Sequence, residues 1–226
     1  MAVAIAYSTK SSYVAFSGAS STAFTGLPTG VPVIIAVVND YGSTATLSGF
    51  QLASDALSPT DATAMLAPVT GHQVLYLYFS SITTANQNLT FTNSGSYAEG
   101  KAFAFTVTGH DTSAPFGTET ADASVTPLNF TFDATGDAVL VHFFGTAATT
   151  YSFSEGTWSN SGQEDLGITY WSSNLTAGVK SIAVTDGVPT SAALVEIKAA
   201  GGGGGGILLS QIERGRSLGR GLNRGL

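Results

Sequence analysis

The sequence predicts an all-β protein: a jelly-roll-like antiparallel β-sandwich built from two duplicated halves, followed by an extended C-terminal arm. Three observations predict it. Short runs alternate apolar and polar residues with period two, and Gly, Asn, Asp and Ser clusters separate them. A spaced pattern recurs at a fixed offset of 106 residues. Six consecutive glycines, Gly201 to Gly206, then end the patterned region.

The strands follow in order. VPVIIAVV (Val31 to Val38) is continuously apolar and predicts a strand buried on both faces. QVLYLYFS (Gln73 to Ser80), NLTFT (Asn88 to Thr92) and AFAFTVTG (Ala102 to Gly109) come next, then PLNFTFD (Pro127 to Asp133) and AVLVHFFG (Ala138 to Gly145). ITYWSS (Ile168 to Ser173), SIAVTD (Ser181 to Asp186) and ALVEIKA (Ala193 to Ala199) complete the set. Phe103, Phe105 and Val107 alternate with Ala104, Thr106 and Thr108, so the two sets point to opposite faces. Ser54 to Leu66 alone has weak helical character, and Pro59 limits it. Many short strands with Gly-rich turns predict a sandwich or jelly roll.

The repeat divides these strands. Phe24-Thr25 precedes Thr29-Gly30 and the run Val33 to Val38; Phe130-Thr131 precedes Thr135-Gly136 and the run Val139 to Phe144. Gly49-Phe50 in the first copy answers to Gly156-Thr157-Trp158 in the second, which gives Phe50 and Trp158 one shared core position. The expected organisation is a sandwich over residues 1–200, with halves of about 1–110 and 111–200. Each would be four-stranded and unable to bury its own face alone, and the two would pack face to face. Residues 201–206 form a linker and 207–226 an arm.

The arm reads ILLSQIERGRSLGRGLNRGL. Extended, it would place Arg216, Leu218, Arg220, Leu222, Arg224 and Leu226 on one face and only small residues on the other. Ile207, Leu208, Leu209, Ile212 and Arg214 precede that stretch and complete the set expected to bind a partner. Such a strand suits addition to a sheet edge, with leucines in pockets and arginines on carboxylates. A helix would carry four glycines, each costing about 1 kcal/mol relative to alanine.

Charge separates the same two regions. Residues 1–206 carry four lysines, no arginine and fourteen carboxylates, for −10, whereas residues 207–226 carry four arginines and one glutamate, for +3. An acidic body and a basic arm attract one another between subunits. The body would repel DNA, and four cations give only modest, salt-sensitive nucleic-acid affinity, so nucleic acid is an unlikely partner. Charged residues make up only 10% of the chain, against about 25% in ordinary domains. Hydroxyl and amide side chains replace them on the surface, as in Ser80 to Ser96.

Several classes are excluded or disfavoured. The chain has no cysteine, so disulfides, thiol catalysis and cysteine metal sites are absent. No window approaches the roughly 18 apolar residues of a membrane helix, and MAVAIAYSTK lacks a signal-peptide pattern, so we expect synthesis in a cytoplasm and no membrane partner. His72, His110 and His142 lack metal-ligand spacing and are read as structural, with His142 on a solvent or interface face. No Gly-x-Ser-x-Gly elbow or phosphate loop occurs. Glu164-Asp165 and the pair Asp133 and Asp137 are read as turn caps rather than a glycosidase pair or calcium site. The sequons at Asn88, Asn129 and Asn174 are read as accidental in a Thr-rich chain. No catalytic residue, cofactor or metal is expected. Tyr151, Trp158, Tyr170 and Trp171 could together form a sugar-stacking platform; Tyr170 and Trp171, facing opposite ways, are the candidate carbohydrate contacts.

From about Thr22 to Ala200 the pattern resembles β-sandwich virion surface proteins of tailed bacteriophages. It has a Thr-Gly-x-x-apolar strand, a Gly-aromatic turn, an aromatic strand leading into a Thr-rich turn, and a closing apolar strand. Asp111-Thr112-Ser113-Ala114-Pro115-Phe116 resembles the link between halves in such proteins. The resemblance implies a non-enzymatic late structural protein of the virion, made in the host cytoplasm and released by lysis. Its role would be head decoration or cement, collar spike or tail-fibre part, and its partners other virion proteins or copies of itself in a homo-oligomer. The alternatives are a carbohydrate-binding module that recognises a host-surface glycan, and a small jelly-roll capsid protein.

Overall fold

The computed structural model describes residues 2–12, 14–40, 46–64, 66–69, 71–123, 128–132, 137–144, 150–162, 167–186 and 191–201. Within them the chain is all-β, and every strand pairing is antiparallel. The first half contains β1 (Ala4–Lys10), β2 (Val14–Phe24), β3 (Val33–Asp40), β4 (Leu47–Leu52), β5 (Asp61–Ala62), β6 (Leu66–Val69), β7 (His72–Phe79) and β8 (Gln87–Thr108). The second contains β9 (Phe116–Asp122), β10 (Leu128–Phe132), β11 (Asp137–Phe143), β12 (Thr150–Phe153), β13 (Ser159–Asn160), β14 (Ile168–Leu175), β15 (Gly178–Asp186) and β16 (Ala192–Ile197).

The two halves share one order of pairing. In the first, strands run β1-β8-β3-β7-β5, and β2 and β4 flank the N-terminal part of β8. In the second, one sheet runs β9-β16-β11-β14-β13 and the other β10-β15-β12. The orders coincide once β8 is matched to β15 and β16 taken together. Gln87 to Asn93 of β8 lies between β2 and β4, and its Ala102 to Thr106 stretch lies between β1 and β3. Pairing is nested in the second half: first strand with last, second with second-last, third with third-last.

The alternation read in the sequence decides the layers. On β8, Phe103, Phe105 and Val107 point one way and Ala102 and Ala104 the other. β3 splits likewise into Ile34, Ala36 and Val38 against Val33, Ile35 and Val37, all inaccessible to solvent. β11 does the same, with Ala138 and Leu140 opposed to Val139, Val141 and Phe143. Both central strands are thus buried on both faces, as the continuous apolar run Val31 to Val38 predicts for β3.

Three cores result. One lies within the first half, around Phe24, Val37, Phe50, Leu77, Phe79 and Leu89. One lies within the second, around Phe130, Val141, Phe143, Ile168, Ile182 and Leu194. The third is a seam between halves, where Ile34, Tyr76, Phe103 and Phe105 meet Leu140, Phe144, Trp171 and Val195. The expectation that each half lacks a core of its own is corrected. Each half closes a sandwich of its own: its second layer is β2-β8-β4 in the first half and β10-β15-β12 in the second, and of these strands β2, β4 and β12 are not legible in the sequence. Across the seam β1 lies on β14, and β6, the neighbour of β7, lies on β9. Since β1 corresponds to β9 and β7 to β14, the contact is approximately two-fold, like an isologous dimer interface.

No helix occurs among the described residues. Ser54 to Leu66 instead carries a turn at Ala53 to Ala56, a bridge at Leu57 and the short β5. Asn88 to Thr92 and Ala102 to Gly109, read as separate strands, are one 22-residue strand.

Leu140 has no exposed surface and sits in the seam. Leu140→Ala is expected to cost about 2–5 kcal/mol by urea unfolding. Gly167 has φ +122°, and a Cβ there would strike the Phe143 carbonyl oxygen, which cannot move without the β11 ladder. Gly30 has φ +72° with open space around it. Gly167→Ala should therefore lose at least about 2 kcal/mol more stability than Gly30→Ala in the same measurement.

Candidate functional site

The last described residues are held by the connector between halves. His110 bridges Ala199, Asp111 N–H donates to Lys198 O at 2.8 Å, and Ala200 N–H donates to Gly109 O at 2.8 Å. Lys198 N–H donates to Pro115 O at 2.9 Å, and Ala199 N–H donates to Asp137 Oδ1 at 2.6 Å. Asp111 Oδ1 accepts from Ser113 N–H at 2.9 Å and Ser113 Oγ–H at 2.7 Å, which tightens the connector. These bonds, led by the Ser113 hydroxyl, hold its carboxyl below the usual aspartate range. The segment after β16 is thus fastened to both halves up to Ala200. Residues 202–226 lie outside the described residues, and with them every predicted arm contact from Ile207 to Leu226.

The histidines are seated in or beside the seam. His142 is fully buried, with Nδ1 2.9 Å from Thr169 Oγ1. The reading of His142 on a solvent or interface face is corrected: the first half covers that face of β11 and buries the ring inside the chain. His72 bonds Ser191 Oγ, and His110 Nε2 lies 2.8 Å from Tyr78 Oη. Tyr76 Oη–H donates to Ala193 O across the seam, and burial pushes its phenol far above the usual range. Among the described residues, no group of three His, Asp or Glu side chains could hold a metal ion. Asp137 serves as a backbone acceptor for Ala199; Asp133, Glu164 and Asp165 lie outside the described residues.

The aromatic expectations divide. Trp171 is 8% exposed, packs in the seam, stacks on Tyr7 at 6.1 Å and meets Phe105 edge-on at 5.4 Å. It is corrected from a surface contact to a core residue, because its face of β14 is covered by the first half. Tyr170 points the other way, half-buried against Phe143 and Phe153. Trp158 is half-buried and stacks on Phe153 at 4.1 Å; Phe50 is buried on Phe91. Each packs on its own half's core, as the repeat predicts. The side chain of Tyr151 lies outside the described residues.

A matched pair of carboxylate clamps was not read in the sequence. After β4, Asp55 accepts from Thr83 Oγ1–H at 2.7 Å and from Thr83 N–H at 2.8 Å. After β12, Glu155 accepts from Thr176 Oγ1–H at 2.7 Å and from Thr176 N–H at 2.8 Å. Each ties an outer-layer turn to the loop that leads out of the third-last strand of its half. Thr in those loops was the available signal, and the distance in sequence hid it. Glu155 also meets Lys180 Nζ at 2.6 Å. Slight burial raises the Asp55 carboxyl, but bonds from Thr84 and Thr83 outweigh it and hold it well below the usual range.

The remaining described surface is mostly neutral. On the outer layer of the first half, Ser21, Ala23, Asn88, Thr92, Ser48 and Gln51 are exposed, around a shallow depression at Gly49 and Thr90. Asn129 and Asn174 are likewise exposed. Val179, at 72%, is the single exposed large hydrophobic among the described residues. Comparison with protein-family models, with curated proteins and with solved structures found no match.

Trp171→Ala should cost about 3–5 kcal/mol in chemical unfolding, as loss of a seam residue requires. The Glu155 carboxyl is lowered from 4.5 to about 2, first by the Lys180 hydrogen bond and then by Thr176. The stability it contributes is full above the unfolded value and is lost as pH falls from about 4.5 towards 2. Glu155→Gln should therefore flatten the stability-versus-pH curve in that window, measured by thermal unfolding at constant ionic strength.

Proposed function

We propose that the chain is a structural component of a tailed-phage virion, a capsid decoration, cement or spike protein anchored through its C-terminal arm. On this reading the body is a tandem of two jelly-roll-like units descended by duplication. The protein itself performs no catalysis, its described histidines being taken up in or beside the seam by hydroxyl partners.

One observation carries the reading: the chain is fastened at the junction of its halves through Ala200, and every arginine lies beyond that point. The described body offers a hydroxyl-rich surface with one isolated exposed hydrophobic, Val179. Such a surface supplies few of the apolar or arginine anchors that dominate binding energy. Ile207, Leu208, Leu209, Ile212, Leu218, Leu222 and Leu226, with Arg214, Arg216, Arg220 and Arg224, supply both kinds. Twenty residues at about 3.3 Å each span roughly 65 Å when extended, enough to cross a neighbouring subunit. The −10 body of a second copy, or another virion protein, complements the arm's +3.

Ending the chain after Gly206 should leave a folded body, with a thermal midpoint within about 2 °C of the full chain. The truncated protein should no longer join particles in a complementation assay. Incorporation at the full-length level would refute the anchoring role.

A further inference from the structure

All three histidines of the chain line or flank the seam, and two of them share one aromatic ring. His72, from the first half, lies flat on Phe144, with centroids 4.8 Å apart and planes 8° apart. His142, from the second half, meets Phe144 edge-on at 4.7 Å and reaches Phe103 of the first half at 5.9 Å. His110 occupies the connector, 4% exposed, with Nε2 on Tyr78 Oη and no hydrogen-bond partner at Nδ1. Hydroxyls of Ser191, Thr169 and Tyr78 bond the three imidazoles. Burial of His110 and His142 against apolar neighbours and these hydroxyls favours the uncharged imidazole, and a cation created there must be solvated by opening.

Among the described residues, the following charged groups lie around the seam. Across the β3–β7 ladder Asp40 stands opposite His72. Lys101 is buried on the seam side of β8. Beside His110 lies Asp111, itself influenced by Lys198. On the rim, Glu119 of β9 reaches the Ala64 backbone near Asp61. The strands around His142 bring Thr169 from β14, Ala193 from β16, Tyr76 from β7 and Phe103 from β8.

We propose that the seam is an acid-sensitive joint: in mild acid His110 and His142 take up protons and the halves part along it, each keeping its own core. Burial lowers the pKa of His110, against an opposing pull from Asp111. A histidine neutral in the folded state contributes stability that is full above its unfolded value, about 6.5, and lost as pH falls below it. Glu119 works the other way. Burial and the Asp61 charge hold its carboxyl high, so protonation relieves strain at the rim and favours closure in acid. Opening in acid is therefore assigned to the imidazoles and not to the rim carboxylates.

Trp171 reports on the seam and Trp158 on the second half's own core, so the full chain carrying Trp158→Phe isolates the seam signal. Between about pH 7.5 and pH 5, acrylamide quenching of Trp171 should rise about threefold while the far-ultraviolet circular dichroism stays constant. His142→Gln should move the midpoint of that rise down by about half a pH unit or more. Trp171 remaining shielded at pH 5 would overturn the proposal, as would loss of all secondary structure at the same midpoint. If His142→Gln does not fold, imidazole NMR titration of the unaltered chain decides. The His110 and His142 rings should remain neutral in the closed state at pH 6.5, and either ring already charged there with the seam closed would refute it.

Discussion

The fold depends on two strands being apolar on both sides. β3 and β11 each belong to an inner sheet whose one face closes a sandwich and whose other face closes the seam. A strand with one polar face could build either half alone but not the joined molecule. Two-sided burial removes the choice of register at the centre of the protein. A slip by one residue would still bury apolar groups, so register must be set elsewhere. The flanking strands set it, since Phe103 and Phe105 of β8 are matched on their other side only by small alanines.

The shared pairing order of the halves and their near-two-fold seam belong together. Each half presents the same inner sheet, and the two sheets meet as the subunits of a symmetric pair would. The connector from Gly109 to Phe116 and the return of Ala199 and Ala200 to it convert that pairing into a covalent one. The Asp55 and Glu155 clamps occupy matching places with different acids, which shows how much sequence change the arrangement tolerates while its hydrogen bonds persist.

Much of this was legible in the sequence, and the failures share one cause. Strands with strong apolar content, such as Val33 to Val38 and Val139 to Phe143, announce themselves because burial is written into every residue. β1, β2, β9 and β12 do not. Their sequences, AIAYSTK, VAFSGASSTAF, FGTETAD and TYSF, are small or hydroxylated. They become strands by pairing with apolar neighbours, a tertiary effect that no local pattern carries. Missing β2 and β12 left the second layer of each half incomplete, and with it hid the fact that each half has a core. The omission of β1 misplaced Trp171. Alternation put it opposite Tyr170 correctly, but only knowledge of the covering β1 strand, with Tyr7 stacked on the indole, shows that its face is closed. His142 was misplaced for the same reason: its polarity suggested a solvent or interface face, whereas the first half covers it.

β16 is the last described strand, and it lies between β9 and β11. Tension applied along it from the C-terminus loads two antiparallel ladders in parallel. Those bonds must yield together in shear, whereas a terminal strand on a sheet margin would unzip one bond at a time. The short segment at Lys198 to Ala200 takes up load first and passes it to the connector. Where the chain is pulled from its end, its resistance is therefore set by the middle of a sheet.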